Sequence, residues 1–230
     1  MASSQRAPYR LEGTPASAPI TRPGRWMVWA GVVLGAGLWA AGCRSQSVYQ
    51  AMEPAHYLSP KKDPGRLGRV ALVEFTNRSS YPEVSRDASE ALYLALQKKQ
   101  RFGLITVART DPAWQALQID PDRAFTPSQC EQIRKTFQCD GVLVGVLTEY
   151  RPFPHLAIGL WMRLVDLSDG QLVWAVEQVW DSGDGGTESR IKEYLEAEAR
   201  STRGSMADPL TVTSTLSFLK FVAYEVATTL

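Results

Sequence analysis

An uncharged stretch of 17 residues, Trp26 to Gly42, decides which part of this 230-residue chain can form a globular domain. The segment before it carries four arginines and one glutamate, and the stretch ends in small residues directly before a cysteine: Ala40, Ala41, Gly42 and then Cys43. A basic start, an apolar centre and a small-residue end are typical of a secretory signal. We therefore predict that residues 1–42 are a signal peptide and that the folded part follows Cys43.

The sequence around Cys43 resembles a bacterial lipobox, although Ala40 stands where leucine is usual. The resemblance implies lipid on the Cys43 thiol, cleavage before it and acylation of the new amino terminus, and two or three acyl chains give stable membrane anchoring. The alternative is an uncleaved transmembrane anchor, since 17 residues lie at the lower limit of a span. In both cases the folded part lies outside the cytoplasm.

The residue after the cysteine bears on the destination of the anchored protein. Position 44 is arginine rather than aspartate. In bacteria whose lipoprotein sorting rule is known, this favours the outer membrane. We therefore expect a lipid-anchored protein of the cell envelope that faces the periplasm.

The composition of the chain argues against several classes of function. Removal of residues 1–42 leaves 21 basic and 23 acidic side chains, so the exported part has no basic surplus for nucleic acid. Three cysteines and two histidines are too few for a disulfide scaffold or a typical zinc site, and we expect no metal and no cofactor. The chain has no Gly-x-Ser-x-Gly motif and no glycine-rich phosphate loop. We therefore predict that it is not an enzyme.

The exported part divides at residue 69. Residues 43–68 contain Pro54, Pro60 and Pro64 without a sustained period, which is typical of a flexible tether. Residues 69–230 show the patterns of a folded domain. Strand 69–76, helix 82–100 and strand 102–109 form a βαβ unit, so these two strands should be parallel with a right-handed crossover.

The remaining pattern completes a mixed sheet. Asp111 and Thr126 are the expected caps of two helices, and the apolar run 142–147 is typical of a central strand. Strands 155–167 and 171–181 form a hairpin in which Leu164 should face Trp174. Helices 187–203 and 210–230 follow, the second with Leu216, Leu219, Val222, Ala223 and Val226 toward the core. We predict a single α/β domain with a mixed sheet of about five strands.

The hairpin has one apolar and one mixed face. Alternation puts the core residues on the first face: Ile158, Leu160, Met162, Leu164, Leu172, Trp174, Val176 and Trp180. Trp161, Arg163 and Val173 fall on the second face. Trp161 and Arg163, with Tyr150 and Phe153 from the preceding segment, are the candidate protein-binding surface, because tryptophan, tyrosine and arginine are frequent anchors. The alternative is that helices cover this face.

Three segments resemble a family of bacterial envelope domains. They are the opening strand 69–77, the run 139–145 and the hairpin 163–174, with sequences RVALVEFTN, CDGVLVG and RLVDLSDGQLVW. They are similar to the TolB amino-terminal domain, to CsgG and to LpoB-type lipoproteins, and the tethered single-domain layout is most similar to the LpoB type. The resemblance implies a non-catalytic module that binds or regulates an envelope protein. The alternative is a homo-oligomeric subunit of an envelope or secretion assembly.

The lipobox makes a direct prediction. Substitution Cys43→Ala should abolish lipid labelling and cleavage before residue 43, because the thiol is the acceptor of the lipid. Intact mass of the unmodified membrane-bound protein should show a diacylglyceryl group and no residues 1–42, and Ser45→Ala should leave both unchanged. A leader retained on the unmodified mature protein would instead indicate a transmembrane anchor.

Overall fold

A seven-stranded mixed sheet carries the fold in the computed structural model, which describes residues 54–120, 123–201 and 214–230. The strand order is β1-β7-β6-β5-β2-β4, and the short β3 pairs with β5. The signal peptide with its cleavage motif, Cys43 and the tether up to residue 53 lie outside the described residues. The strands are β1 His56–Leu58, β2 Arg69–Val73, β3 Thr76–Asn77, β4 Gly103–Val107, β5 Gly141–Arg151, β6 Ala157–Asp166 and β7 Leu172–Asp181.

Helices cover both faces of the sheet, as expected for an α/β domain. They are α1 Val84–Lys99, α2 Pro112–Ala116, α3 Pro127–Phe137, α4 Gly185–Ser201 and α5 Thr215–Thr228. The side chains of α1, α4 and α5 join one apolar cluster, and those of α2 and α3 join a second cluster across the sheet. We call the side of α1, α4 and α5 the helix face. The predicted fold class is confirmed, and the strands missed from sequence are the very short β1 and β3.

The two strands of the βαβ unit are parallel, as predicted. β2 and β4 are parallel, with Val70 opposite Leu104 and Leu72 opposite Thr106. Helix α1 buries Ala88, Leu92 and Leu96 against the helix face, because these positions recur at four-residue spacing. The helix begins at Val84 and ends at Lys99, so it is slightly shorter than the predicted 82–100.

Both later helix caps also form as predicted. Asp111 accepts a hydrogen bond from the backbone N–H of Ala113 at 2.8 Å. Thr126 and Gln129 form a reciprocal capping box at the start of α3, which satisfies backbone N–H groups that a helix start leaves open. Local sequence is sufficient for these helix starts because the partners are within three residues.

The hairpin register is confirmed at its centre and differs at its turn end. Leu164 lies opposite Trp174, and Met162 lies opposite Val176. A bulge then places Val165 opposite Leu172, so Val173 is the extra residue and turns to the helix face. Leu172 is therefore 38% exposed, and its predicted place in the core, together with that of Val173 on the mixed face, is wrong. A bulge adds one residue to one strand and reverses the alternation beyond it.

Helix α5 lies over the hairpin and closes the core. Leu219, Val222, Ala223 and Val226 are buried as predicted, and Phe218 and Phe221 widen the buried stripe. The exception is Leu216, which is 53% exposed in the first turn. Residues 210–213 of the predicted helix lie outside the described residues.

Two buried tryptophans of β7 donate to α5. Trp174 Nε1 lies 3.0 Å from Thr229 Oγ1, and Trp180 Nε1 lies 2.6 Å from Glu225 Oε2. Glu225 also accepts from Arg190 Nε of α4 at 2.6 Å, so its buried carboxylate is paired. An indole N–H buried without an acceptor would cost stability. These contacts fix α5 and α4 on the helix face.

The segment 54–68, assigned to the tether, joins the fold instead. β1 pairs antiparallel with β7, and Ser59 N–H donates to Val173 O at 2.8 Å. Lys62 Nζ lies 2.6 Å from Asp166 and 2.5 Å from Asp169 of the hairpin turn. The hydrogen bond to Asp166, followed by that to Asp169, raises the pKa of Lys62. β1 is an edge strand, so its outer N–H groups need no partner in the sheet. Proline, which has no N–H group, is therefore tolerated next to it, as at Pro54 and Pro60.

None of the helices in residues 54–120, 123–201 and 214–230 has the length and apolar character needed to cross a bilayer.

The burial of α5 predicts a large difference between two of its leucines. Leu219→Ala should lower the free energy of unfolding by about 2–5 kcal/mol, because it leaves a cavity in the core. Leu216→Ala on the same helix should change it by less than about 0.5 kcal/mol, because that side chain is exposed. Urea melts of residues 44–230 measure both values. Equal midpoints for the two variants would contradict the packing of α5.

Candidate functional site

The four residues of the predicted binding surface do not share one face. Trp161 and Arg163 lie on the side opposite the helix face, as the alternation of β6 predicted. Tyr150 lies on the helix face, where its hydroxyl is 3.3 Å from Thr215 Oγ1. Phe153 is 81% exposed in the β5–β6 connection. The structure therefore keeps only Trp161 and Arg163 together.

A bulge in β5 explains the position of Tyr150. Leu147 pairs with Leu160 and Glu149 with Gly159, so Thr148 is the additional residue. Without it, Tyr150 would alternate onto the side of Trp161. Gly159 makes the close approach possible, because a Cβ there would lie 2.5 Å from Thr148 Oγ1. The tyrosine then packs edge-on against Tyr81, with ring centroids 5.1 Å apart.

On the side of the sheet opposite the helix face, the exposed part is a continuous patch on three strands. In cross-strand rows, Arg163 lies opposite Ala175, which lies opposite Tyr57, and Trp161 lies opposite Glu177. Val179 follows one row farther and is 51% exposed, while Tyr57 is 46% exposed. We call this patch the Trp161 face and define it by Tyr57, Trp161, Arg163, Ala175, Glu177 and Val179.

Arg163 is held between two aromatic rings. Its guanidinium carbon lies 4.6 Å from the ring centroid of Phe125 and 5.4 Å from that of Trp161. The guanidinium also donates to the carbonyl of Arg123 in the loop before α3. These contacts orient the arginine and Trp161, because a cation over an aromatic face is attracted by the ring quadrupole. The half-buried Trp161 is therefore preorganised at the centre of the patch.

The Trp161 face stays accessible because of the chain connections. Helices α2 and α3 follow β4 and cover the β2–β4–β5 half, where Trp114, Cys130 and Ile133 are buried. β6 and β7 are joined by a hairpin turn, and the described helices after them pack on the helix face. In the described part of the chain, no helix lies over the β6–β7–β1 half. Helices therefore cover the β2–β4–β5 half of this side, as the alternative prediction stated. In the described residues, they do not cover the β6–β7–β1 half.

Two residues of this site were missed from sequence. Tyr57 was assigned to the tether, although the apolar pair Tyr57–Leu58 between prolines is a weak strand signal. Phe125 precedes a helix cap, and no local pattern indicates that its ring reaches Arg163. Both contacts depend on which strands become neighbours, which a single sequence does not show.

A cleft lies beside the segment that precedes β2. It has a volume of about 640 Å³ and lies between the turn at Pro64 and the β6–β7 end. Lys62, one of the four basic side chains that line it, is bound by Asp166 and Asp169. These ion pairs hold residues 59–67 against the hairpin. Across the described ranges 54–120, 123–201 and 214–230, no cluster of three or more His, Cys, Asp and Glu side chains could hold a metal ion.

The acidic glycine loop after β7 caps a helix. Asp184 accepts from the N–H and hydroxyl of Thr187 at 2.8 and 3.1 Å. The backbone hydrogen bond of Thr187, followed by that of its hydroxyl, lowers the pKa of Asp184. A carboxylate at a helix N-terminus satisfies open N–H groups and complements the helix dipole.

Comparisons with known proteins give partial structural matches. No model of a protein family matches the sequence, and no curated protein matches it. Among solved structures, the PelC dodecamer from Paraburkholderia phytofirmans is 19% identical, with 58% of this chain and 85% of that chain covered and a TM-score of 0.40. The lipoprotein GNA1162 from Neisseria meningitidis is 16% identical, with coverages of 61% and 99% and a TM-score of 0.42.

The LpoB type named by sequence resemblance is also among these structures. The LpoB C-terminal domain from Salmonella enterica is 25% identical, with 49% of this chain and 82% of that chain covered and a TM-score of 0.36. All three scores are below 0.5, so we transfer no partner, site or assembly from these proteins.

Cys130 and Cys139 are buried free thiols in the cluster beneath α3. Burial raises the pKa of Cys139 to about 11 and also raises that of Cys130. Because the thiolate is the reactive form, residues 44–230 should show no fast reaction with a thiol reagent at pH 8 and two reactive thiols in denaturant. A count of zero in denaturant without reductant would reveal a disulfide and contradict the packing of α3.

Proposed function

We propose that this chain is a non-catalytic, lipid-anchored protein of the bacterial cell envelope whose α/β domain binds a partner protein through the Trp161 face. The observation that carries the proposal is the accessible half of one sheet face, with Tyr57, Trp161 and Val179 around the held Arg163. Exposed apolar patches of this kind mark interaction sites in soluble domains.

The composition of the face favours a protein partner. Tryptophan, tyrosine and arginine at the centre are the residue types that carry most binding energy in protein interfaces. Glu177 lies beside Trp161 and supplies a single exposed carboxylate. The small net charge of the exported part provides no field for nucleic acid or an anionic membrane surface. The partner should therefore present an apolar patch with a cationic group opposite Glu177.

The anchor supports the proposal by limiting where the partner can be. Eleven steps of chain separate Cys43 from Pro54, the first described residue, and fully extended they span at most about 40 Å. A lipid on Cys43 would keep the domain close to the membrane and raise its effective concentration toward envelope proteins there. Arg44 favours the outer membrane with the domain in the periplasm. The partner would then be a membrane or periplasmic protein within this distance.

A photoreactive residue tests the face in intact envelopes. Placed at Val179, it should crosslink the chain to one partner protein, whereas at Leu216 on α5 it should not. The two positions are a matched pair, because they are 51% and 53% exposed on opposite sides of the sheet. Tyr57→Ala should lower the yield at position 179 about tenfold, since an aromatic side chain that anchors an interface contributes more than about 1 kcal/mol.

The outcomes separate the candidate functions. Equal crosslinking at positions 179 and 216, or an unchanged yield after Tyr57→Ala, would contradict the proposed face. A crosslink between two copies of this chain would instead support a homo-oligomeric subunit of an envelope assembly. In that case the mass of residues 44–230 should increase with concentration in the micromolar range.

A further inference from the structure

A second surface lies at the other end of the sheet, along β4. The strand order places β4 at one edge and β1 at the other, so β4 is far from the Trp161 face. Within the described residues, β4 pairs only with β2. Its second backbone edge is therefore open in the part of the chain that the structure describes.

The backbone groups of the open edge can be assigned from the ladder. Gly103 N–H donates to Gly68 O, and Val107 O accepts from Glu74 N–H, so the odd-numbered residues point toward β2. Leu104 and Thr106 alternate with them and point their N–H and C=O groups outward. These two residues offer the four backbone groups that one additional strand would use.

A groove accompanies this edge on the helix face. It has a volume of about 280 Å³ and lies between β4 and the first half of α1. Leu72 and the half-buried Tyr93 supply apolar lining, and Glu74 and Glu90 supply carboxylates. The volume is below that of sites for drug-sized ligands and suits one or two side chains.

The charges favour a basic occupant. Arg86 also lines the groove, but its guanidinium lies 2.9 Å from Glu83 and 3.9 Å from Asp87 of its own helix region. The positive charge is thereby balanced, and the carboxylates of Glu74 and Glu90 set the sign of the groove. A second copy added through the same edge would bring these carboxylates together, and like charges at close range disfavour that pairing.

We propose that the β4 edge binds an extended peptide segment of another protein, with an apolar side chain in the groove and a lysine or arginine facing Glu90. The segment adds an eighth strand through the backbone of Leu104 and Thr106. Backbone hydrogen bonds supply affinity in this mode of recognition, and the pocket for alternate side chains supplies specificity. The site goes beyond the proposed function, because it uses the opposite edge of the sheet from the Trp161 face.

Two peptides probe the edge directly. The full lipidated protein in detergent is titrated with a labelled eight-residue peptide of alternating valine and lysine, and with the same peptide carrying glutamate for lysine. Fluorescence anisotropy should show binding of the lysine peptide and at least tenfold weaker binding of the glutamate peptide. Equal binding of the two peptides would overturn the proposal.

Variants locate the binding on the molecule. Thr106→Pro removes an outward N–H without removing a bond to β2, and Glu90→Lys reverses the charge of the groove at an exposed position. Each should weaken binding of the lysine peptide at least tenfold, whereas Glu193→Lys on α4 should not. Full affinity in Glu90→Lys overturns the proposal even if Thr106→Pro fails to fold.

Amide hydrogen exchange distinguishes other occupants. The amides of Leu104 and Thr106 should exchange rapidly in the free protein and slowly with the lysine peptide. Slow exchange in the free protein would mean that another segment of this chain covers the edge, and concentration-dependent protection would mean a second copy. Either result overturns the proposal. Crosslinking at Val179 should be unchanged in Glu90→Lys, so the two sites fail independently.

Discussion

The burial of two β7 tryptophans beneath α5 is the constraint on which the rest of the structure depends. Trp174 and Trp180 have no exposed surface, and each indole N–H needs an acceptor that the sheet does not supply. Glu225 of α5 and Thr229, directly after the helix, provide these acceptors, and Glu225 also binds Arg190 of α4. One carboxylate thus couples the sheet to two helices. Its removal would leave the buried indole of Trp180 without its acceptor and the half-buried Arg190 without its carboxylate, which costs more than the loss of one contact.

This arrangement also decides which surface remains for binding. The described helices after the hairpin, α4 and α5, pack on the helix face, where the indoles lie. On the opposite side of the sheet, α2 and α3 cover only the half near β4. The strands β6, β7 and β1 consequently present Tyr57, Val179 and part of the half-buried Trp161 to solvent. The rigid sheet and the stacking of Arg163 hold these side chains in place, so partner binding requires little ordering. The proposed partner binding would therefore use the part of a stable sheet that the described helices leave uncovered.

Bulges and short strands account for the differences between expectation and structure. Strict alternation along β5 would put Tyr150 beside Trp161, but the extra residue at Thr148 turns it to the helix face. The extra residue Val173 likewise exchanges the environments of Leu172 and Val173. A bulge has no reliable local pattern, because it depends on the partner strand as much as on its own sequence. The same reasoning applies to β1, whose three residues form a strand only because β7 offers an open edge.

The sequence alone determined the features whose partners are close along the chain. The helix starts at Asp111 and Thr126, the buried stripe of α1, the tight turn at Gly170 with φ +72° and the hairpin register from Ile158 to Leu164 all follow from local spacing. The resemblance of the segment before Cys43 to a lipobox is likewise a sequence feature, as is the near-neutral charge. Only the tertiary structure decided that Phe125 reaches Arg163, that residues 54–68 join the domain, and that α5 leaves Leu216 exposed while covering Trp180. These outcomes depend on contacts between residues that are distant in the chain. The energy of such a contact depends on which surfaces pack together in the fold and not on the sequence of any one segment.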